Sequence, residues 1–240
     1  MVRISTGELY CAVVSTALPE GTVLTDPTKR EWKVGAAIGS GGFRLIYMAD
    51  RNSATPVSSS APFVVKVEPQ GNGPLFCELH FYQRAAKQAA IAEWMKSRKV
   101  QSLGVPYFVA TGLHSQDGFQ YRFLIMQRFG TDLQKLFEQS EKRFPVSSVF
   151  LLGLKLLDVL EYIHSQEYAH ADVKASNILV GFTDPQQVYL VDYGLSLRYV
   201  VDGVPKPYKE DPKHTHTHTH TQKIKTGKVK KNTSSCDLIE

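Results

Sequence analysis

The chain has 240 residues, 42% of them hydrophobic, and a formal net charge of +5. This length and apolar content allow one sizeable core or two small lobes, and the moderate charge argues against a dedicated nucleic-acid binder. The three cysteines, Cys11, Cys77 and Cys236, are scattered and odd in number. That pattern argues against a disulfide scaffold and for a reducing compartment. The sequence contains no apolar run long enough to span a bilayer.

The first residues, 1–17, are predicted to form a disordered lead-in. They contain one arginine and a mildly apolar patch at residues 11–14, and Glu8 interrupts the apolar character of the segment. A signal peptide is the alternative interpretation of these residues.

Residues 30–50 alternate apolar and polar side chains around the glycine cluster Gly39-Ser40-Gly41-Gly42. The pattern predicts a strand, a tight turn and a second strand. A loop rich in Ser, Ala and Pro is expected over 52–62, followed by a β-branched strand over Phe63–Val67. An Asn-Gly-Pro sequence then breaks the chain, and a single helix is predicted from about Leu75 to Ser97.

A further strand is predicted over Tyr121–Met126, and a long helix over Val146–His164. The long helix is apolar almost all round, with leucine, valine, isoleucine and phenylalanine on every face. A helix without a polar face must be covered by neighbours on several sides.

Two charged residues downstream of the glycine cluster indicate a function for it. A glycine loop lets the backbone approach phosphates closely, but many such loops are simply turns. Lys66 lies on the next strand, flanked by valines, where a surface position is the alternative. Glu78 comes twelve positions later on the predicted helix and is suitably placed to hold Lys66 in an ion pair. Together they are typical of a nucleotide-phosphate site.

The segment His170–Asn177 contains Asp172, Lys174 and Asn177, and Asp192-Tyr193-Gly194 lies beyond an apolar strand. An Asp with an Asn five positions later, and a second Asp before an aromatic-Gly pair, is typical of the phosphoryl-transfer core of a protein kinase. Asn177 and Asp192 offer the oxygen ligands that Mg²⁺ prefers.

Residues 18–212 also resemble the vaccinia-related kinases, a branch close to the casein kinase one group, and most of all its nuclear first member. The segments that carry the resemblance are Glu31-Trp32-Lys33-Val34-Gly35, Gly39-Ser40-Gly41-Gly42-Phe43, Val64-Val65-Lys66-Val67-Glu68-Pro69, Asn72-Gly73-Pro74-Leu75-Phe76, Phe81-Tyr82-Gln83-Arg84-Ala85-Ala86-Lys87, Asp158-Val159-Leu160-Glu161-Tyr162-Ile163-His164 and Asp192-Tyr193-Gly194-Leu195.

The resemblance implies a Ser/Thr protein kinase that uses ATP and Mg²⁺ in the nucleus, on chromatin-associated substrates such as histone tails and the barrier-to-autointegration factor. It makes Asp172 the catalytic Asp and Lys174 the residue that steadies the γ-phosphate, with Asn177 and Asp192 as metal ligands. Met126 becomes the gatekeeper, and Gln127 and Phe129 the adenine hinge. The implied nucleotide-binding residues are Ile38, Gly39, Ser40, Gly41, Gly42, Phe43, Ile46, Lys66, Glu78, Met126, Gln127 and Phe129.

Two residues depart from the family pattern. Arg44 stands where the third glycine of the phosphate loop is expected. Its side chain either crowds the loop or lies over the phosphates, and weakened nucleotide binding is expected in both cases. Ala171 stands where most kinases have Arg and this family has Gly. Without that Arg, activation is not expected to depend on an activation-loop phosphate.

The expected fold is α+β and protein-kinase-like, with a complete β-rich N-terminal lobe over 18–126 and an incomplete helical C-terminal lobe over 127–213. The family's later C-lobe elements have no counterpart in the sequence, which suggests a truncated isoform. Residues 214–240, with an alternating His-Thr run and a Lys-rich end, are expected to be a disordered tail. A nuclear-import or nucleic-acid patch is the alternative for the lysines, and a loose metal site for the histidines.

Three functions are compatible with the sequence. The chain is an active Ser/Thr kinase, or a catalytically inactive nucleotide- or partner-binding module, or a non-functional product. No membrane association and no direct nucleic-acid site are expected, and cytoplasm is the alternative to the nucleus.

Overall fold

The computed structural model describes residues 17–41, 44–71, 73–201 and 203–206. The expected tail and, apart from Ala17, the expected lead-in lie outside these residues, as do Gly42 and Phe43 of the predicted phosphate loop.

A twisted six-stranded antiparallel sheet forms most of the N-terminal lobe, in the order β1-β2-β3-β4-β6-β5. Its strands are β1 (Val23–Thr25), β2 (Glu31–Gly41), β3 (Arg44–Arg51), β4 (Phe63–Pro69), β5 (Ala110–Gln116) and β6 (Phe119–Gln127). The predicted glycine hairpin is β2 and β3, and the predicted β-branched strand is β4. The sheet therefore carries both the phosphate-loop glycines and Lys66.

The helix predicted from Leu75 to Ser97 is in fact two helices, α1 (Pro74–Ala85) and α2 (Gln88–Arg98). The break contains no glycine or proline. Lys87 takes an extended backbone, and the Ala86 carbonyl accepts a hydrogen bond of 3.0 Å from the Phe108 amide instead of continuing the helix. A contact with a distant segment thus overrides the helix propensity of the Ala-Ala-Lys-Gln-Ala-Ala stretch.

The C-terminal lobe begins with β7 (Phe129–Asp132) and α3 (Leu133–Gln139), which Asp132 caps by accepting a hydrogen bond of 2.9 Å from the Lys135 amide. The long helix α4 (Val146–Ser165) comes next, as predicted. Short strands and two 3₁₀ turns complete the described part of this lobe. They are β8 (Tyr168–Ala169), a turn at Ala175–Asn177, β9 (Ile178–Gly181), β10 (Val188–Leu190), a turn at Tyr193–Leu195, β11 (Leu197–Arg198), β12 (Val200–Val201) and β13 (Val204–Pro205).

Alternation along β4 divides the apolar residues into two cores. Val65 and Val67 face a core that includes Trp32, Tyr47 and Phe123. Val64 and Lys66 lie on the opposite face, because side chains alternate along a strand. Val64 joins the second core, which packs α1 and α4 against the sheet. Lys66 is therefore directed into the space between the two lobes.

Only one side of α4 is covered by the described residues. Val159, Tyr162 and Ile163 are fully buried near its C-terminal end, whereas Phe150 is 71% and Leu154 is 61% exposed. The expectation that this helix needs cover on several sides is met only in part. No helix within the described segments is both long enough and apolar enough to cross a membrane.

The expected α+β architecture, with a β-rich N-terminal lobe followed by a C-terminal lobe that has few helices, is confirmed for the residues that the structure describes.

Candidate active site

A cavity of about 690 Å³ lies between the two lobes and brings together half of the predicted site residues. Its N-lobe wall comes from β2, β3, β4 and β6, and its floor from β7 and the segment around Asn177 and Asp192. The predicted site residues that line it are Ile38, Gly39, Ile46, Lys66, Met126, Phe129, Asn177 and Asp192. Residues from strands far apart in the chain thus meet at one concave site, which is typical of a small-molecule site.

The predicted ion pair between Lys66 and Glu78 is formed. The Lys66 Nζ lies 2.6 Å from the Glu78 Oε1, with the two side chains 9% and 0% exposed. A charge buried this deeply needs a partner, because desolvation would otherwise favour its neutral form. The pair fixes the ammonium of Lys66 at the cavity wall and ties β4 to α1.

Asp172 and Asn177 lie together at the edge of the cavity. The Asn177 Nδ2 donates to the Asp172 backbone carbonyl at 2.8 Å and to the Asp172 Oδ2 at 2.9 Å. The Lys174 Nζ lies 2.8 Å from the same Oδ2. The Oδ1 of Asp172 remains for a further partner, and with the Asn177 amide nitrogen engaged, its amide oxygen is the atom left for a cation.

His170 positions this loop although it was not among the predicted site residues. It is fully buried, with its Nε2 3.0 Å from the Val191 carbonyl and its Nδ1 accepting from the Asp172 amide at 3.2 Å. These contacts join the loop of Asp172 to the strand that leads to Asp192. His170 can hold this loop because it is fully buried between the two segments. The sequence alone does not indicate that burial.

Asp192 lies in the left-handed backbone region, at φ 65° and ψ 68°, where a residue other than glycine is uncommon. Burial alone would raise the pKa of its carboxyl, but the nearby Lys66 and the hydrogen-bonded Arg44 outweigh that effect and lower the pKa to about 2. Asp192 is therefore an ionised, part-buried carboxylate facing the cavity, which suits a hard cation such as Mg²⁺.

The contacts of Arg44 differ most from those that the sequence predicted. Its guanidinium does not lie in open space over the cavity but pairs with Asp192 through two hydrogen bonds of 2.9 and 3.1 Å. The same side chain lies 3.5 Å from the Glu78 Oε2. Its position next to the glycine cluster suggested a role toward phosphates, but nothing local in the sequence indicates a carboxylate partner 148 positions away.

Some predicted residues are not at the cavity. Ser40 and Gly41 end β2 and pair with Leu45 and Arg44 of β3, and Ser40 does not line the cavity. Gln127 lines a neighbouring cavity of about 300 Å³ with Tyr189 and Phe182.

Within the described residues, no group of three or more His, Cys, Asp or Glu side chains is suited to hold a metal ion. A metal ion bound in this cavity would be coordinated by Asn177, Asp192 and oxygens of a bound nucleotide.

Residues 32–215 match the family model described as protein kinase domain. The chain is 50% identical over 195 residues to the serine/threonine-protein kinase VRK2 of Homo sapiens, covering 81% of this chain and 38% of that protein. It is 45% identical over 196 residues to nucleosomal histone kinase 1 of Drosophila melanogaster, covering 81% of this chain and 31% of that protein.

A solved structure of vaccinia related kinase 3 superposes with a TM-score of 0.72 at 34% identity, covering 84% of this chain and 60% of that one. The chain thus spans 38% and 31% of the length of the two curated relatives. Members of the protein kinase family act on protein substrates with ATP and Mg²⁺. The fold, the site and these similarities show that the chain belongs to the protein kinase family, within its vaccinia-related branch.

Proposed function

We propose that this chain binds ATP in the interlobe cavity and transfers the γ-phosphate to Ser or Thr hydroxyls of proteins. The observation that carries the proposal is the meeting of the buried Lys66–Glu78 pair, Asn177 and Asp192 at one cavity, with Asp172 hydrogen-bonded to Asn177. Phosphoryl transfer needs little covalent chemistry from the protein, so positioning and charge are what the site must supply.

Each residue has a role that its contacts support. Lys66, held by Glu78, would bind the α- and β-phosphates, and Ile38, Ile46 and Met126 would form an apolar cleft for the adenine. The free Oδ1 of Asp172 would orient the substrate hydroxyl and accept its proton. Lys174, 2.8 Å from Asp172, would steady the γ-phosphate. Gln127 and Phe129 remain the proposed hinge, and Gly42 and Phe43 remain proposed parts of the phosphate loop.

The donor set fits Mg²⁺, since Asn177 offers an amide oxygen and Asp192 an ionised carboxylate. When bound, Mg²⁺ neutralises charge on the phosphate oxygens. Asn177 is held for this role by its two hydrogen bonds to Asp172, which fix the orientation of its amide.

Histone tails and the barrier-to-autointegration factor are the proposed substrates, and the nucleus the proposed compartment. The name of the Drosophila relative, nucleosomal histone kinase 1, supports the histone part of this proposal. The barrier-to-autointegration factor is proposed only from the family resemblance.

A second candidate function is a binding module that takes up nucleotide or a partner without turnover. The exposed apolar face of α4 favours it, because Phe150 and Leu154, at 71% and 61% exposure, are available for contact with another protein. Under this alternative, the cavity binds ATP and no phosphate is transferred.

Two measurements on the purified chain test these proposals. The first is thermal unfolding with and without Mg²⁺-ATP, beside Lys66→Met. The second is γ-phosphate transfer to a histone-tail peptide, beside a peptide with its Ser and Thr replaced by Ala and beside Asp172→Asn. We expect a nucleotide-dependent rise in Tm that Lys66→Met lacks, and transfer that Asp172→Asn reduces about 10²- to 10⁴-fold.

The outcomes separate the candidates. A rise in Tm without transfer would support the binding module. A chain whose unfolding is cooperative but insensitive to ATP would contradict both functions. Absence of any cooperative transition would mean that the polypeptide alone is not a functional unit.

A further inference from the structure

The pair formed by Arg44 and Asp192 occupies the carboxylate that the proposed metal site needs. The Arg44 Nη1 lies 2.9 Å from the Asp192 Oδ1, and its Nη2 lies 3.1 Å from the Oδ2. Both oxygens of the carboxylate are therefore engaged by one planar guanidinium, in the two-pronged geometry that makes arginine–carboxylate pairs strong. The two side chains are 21% and 27% exposed, so water screens the pair only in part.

Arg44 also completes a compact arrangement of charges. The Glu78 Oε1 lies 2.6 Å from Lys66, and the Glu78 Oε2 lies 3.5 Å from the Arg44 Nη1. Two cations and two carboxylates thus balance each other at the inner end of the cavity. A divalent cation added beside Asp192 would face two positive side chains, and one of them already donates to both oxygens of the carboxylate.

Space around this pair is limited as well. A side-chain carbon at Gly194 would lie 3.2 Å from the Asp192 Oδ1 and 3.4 Å from the Arg44 Nη1. The guanidinium is therefore packed against the backbone just beyond Asp192. The guanidinium therefore fills the side of the carboxylate that faces Gly194.

We propose that Arg44 is a built-in competitor of the metal ion, so that a divalent cation binds Asp192 only after Arg44 has left it. This inference rests on the proposed function, because it concerns the same metal ligands. Arg44 then sets the metal concentration that the chain needs, and a variant with a small side chain at this position needs less. Arg44 is absent from the residues with positive φ, so the backbone at this position does not require glycine.

The test is a direct titration with Mn²⁺, whose free form is counted by electron paramagnetic resonance, in the absence of nucleotide. Oxygen-donor sites that suit Mg²⁺ also take Mn²⁺. The proteins compared are the unaltered chain, Arg44→Ala, Arg44→Lys and Asp192→Asn. Arg98→Ala is the matched control, since it removes an arginine from an ion pair with Glu161 on the surface, away from the cavity.

We expect Arg44→Ala to bind Mn²⁺ about tenfold more tightly than the unaltered chain, equal to about 1.4 kcal/mol. Arg98→Ala should leave the affinity unchanged, and Asp192→Asn should abolish the site. Arg44→Lys should be intermediate, because lysine keeps the charge but cannot hold both oxygens of the carboxylate in a planar fork.

An Arg44→Ala affinity equal to or weaker than that of the unaltered chain would overturn the proposal. So would an Arg44→Lys affinity equal to the unaltered one, because charge alone, and not occupation of both oxygens, would then set the affinity. If Arg44→Ala does not unfold cooperatively, Arg44→Lys is used in its place. A Mn²⁺ affinity of Arg44→Lys that does not exceed that of the unaltered chain would then overturn the proposal. The proposed kinase function fails separately, through absence of an ATP-dependent rise in Tm.

Discussion

The ring of Phe81 stacks face to face on the ring of Tyr193, with centroids 3.6 Å apart and planes only 5° from parallel. Phe81 lies three positions after Glu78 on α1, and Tyr193 is the residue next to Asp192. The stack therefore couples the carboxylate that holds Lys66 to the carboxylate proposed to hold metal. Both rings are fully buried, so this coupling runs through the core between the lobes.

The hydroxyl of Tyr193 is buried and has no hydrogen-bond partner within the described residues. Because an unpaired buried polar group costs about 1–3 kcal/mol, Tyr193→Phe is expected to leave the free energy of unfolding unchanged or to raise it. Tyr162→Phe is the matched control, since the Tyr162 hydroxyl donates to the Ala85 carbonyl at 2.5 Å. That variant should lose about 1–3 kcal/mol in urea unfolding. A comparable loss in Tyr193→Phe would show that its hydroxyl has a partner.

Lys66→Met should destabilise the fold as well as remove nucleotide binding. It removes the 2.6 Å partner of the buried Glu78 and leaves the longer 3.5 Å contact to Arg44, and removal of one member of a buried pair costs about 3–5 kcal/mol. The double variant Lys66→Met/Glu78→Met should lose less than Lys66→Met alone, since no buried charge remains. A double-mutant cycle in urea measures the coupling. Additive losses would mean that Lys66 and Glu78 are not coupled.

Asp26 makes the stability of the N-terminal lobe depend on pH. Its buried carboxylate accepts hydrogen bonds from Thr28, Arg30 and Trp32. Burial alone would raise the pKa of Asp26, but these bonds outweigh it and lower the pKa to about 2. A carboxyl with a depressed folded-state pKa adds stability above its unfolded pKa of about 3.9. That stability is lost as the pH falls toward 2.

We therefore expect the free energy of unfolding to fall by about 2 kcal/mol per such group between about pH 5 and pH 2. Asp192, whose pKa is also lowered to about 2, contributes in the same window. Asp26→Asn should remove only the part that belongs to Asp26, measured by urea unfolding at a series of pH values. An unchanged slope in that variant would contradict the assignment.

Local patterns predicted the parts of the fold that local chemistry decides. The alternation around the glycines indicated β2 and β3, and the buried run around Lys66 indicated β4. The strand β5, Ala110–Gln116, was not predicted, because its small and polar residues form a strand only through pairing with β6. The contact between Arg44 and Asp192 could not be predicted either, since no sequence pattern links residues brought together by the closing of two lobes.

Ala171 has a positive φ of 64°, a region that costs a residue with a Cβ about 1–2 kcal/mol. Glycine, which has no Cβ, avoids that cost. Ala171→Gly is expected to raise the free energy of unfolding by about 0.5–1 kcal/mol, after the larger chain entropy of glycine is subtracted. Ala175→Gly is the control, because Ala175 lies outside the positive-φ residues. It should lose stability, and a loss in both variants would contradict the strain at Ala171.

The exposed face of α4 should make the chain associate with itself. Val146, Phe150 and Leu154 succeed one another along one side of the helix, at 71%, 71% and 61% exposure, and contiguous apolar patches of this kind promote association. Phe150→Glu and Leu154→Glu together should lower the apparent mass in sedimentation velocity toward that of the 26.8 kDa monomer.

The free energy of unfolding should change little in this double variant, because the side chains of Phe150 and Leu154 are both exposed. Ser147→Glu adds a charge to the exposed first turn of the same helix without removing apolar surface, so it should leave association unchanged. If Ser147→Glu dissociates the chain equally well, net charge and not the apolar face controls association. If the double variant stays associated, the contact between copies lies on another surface.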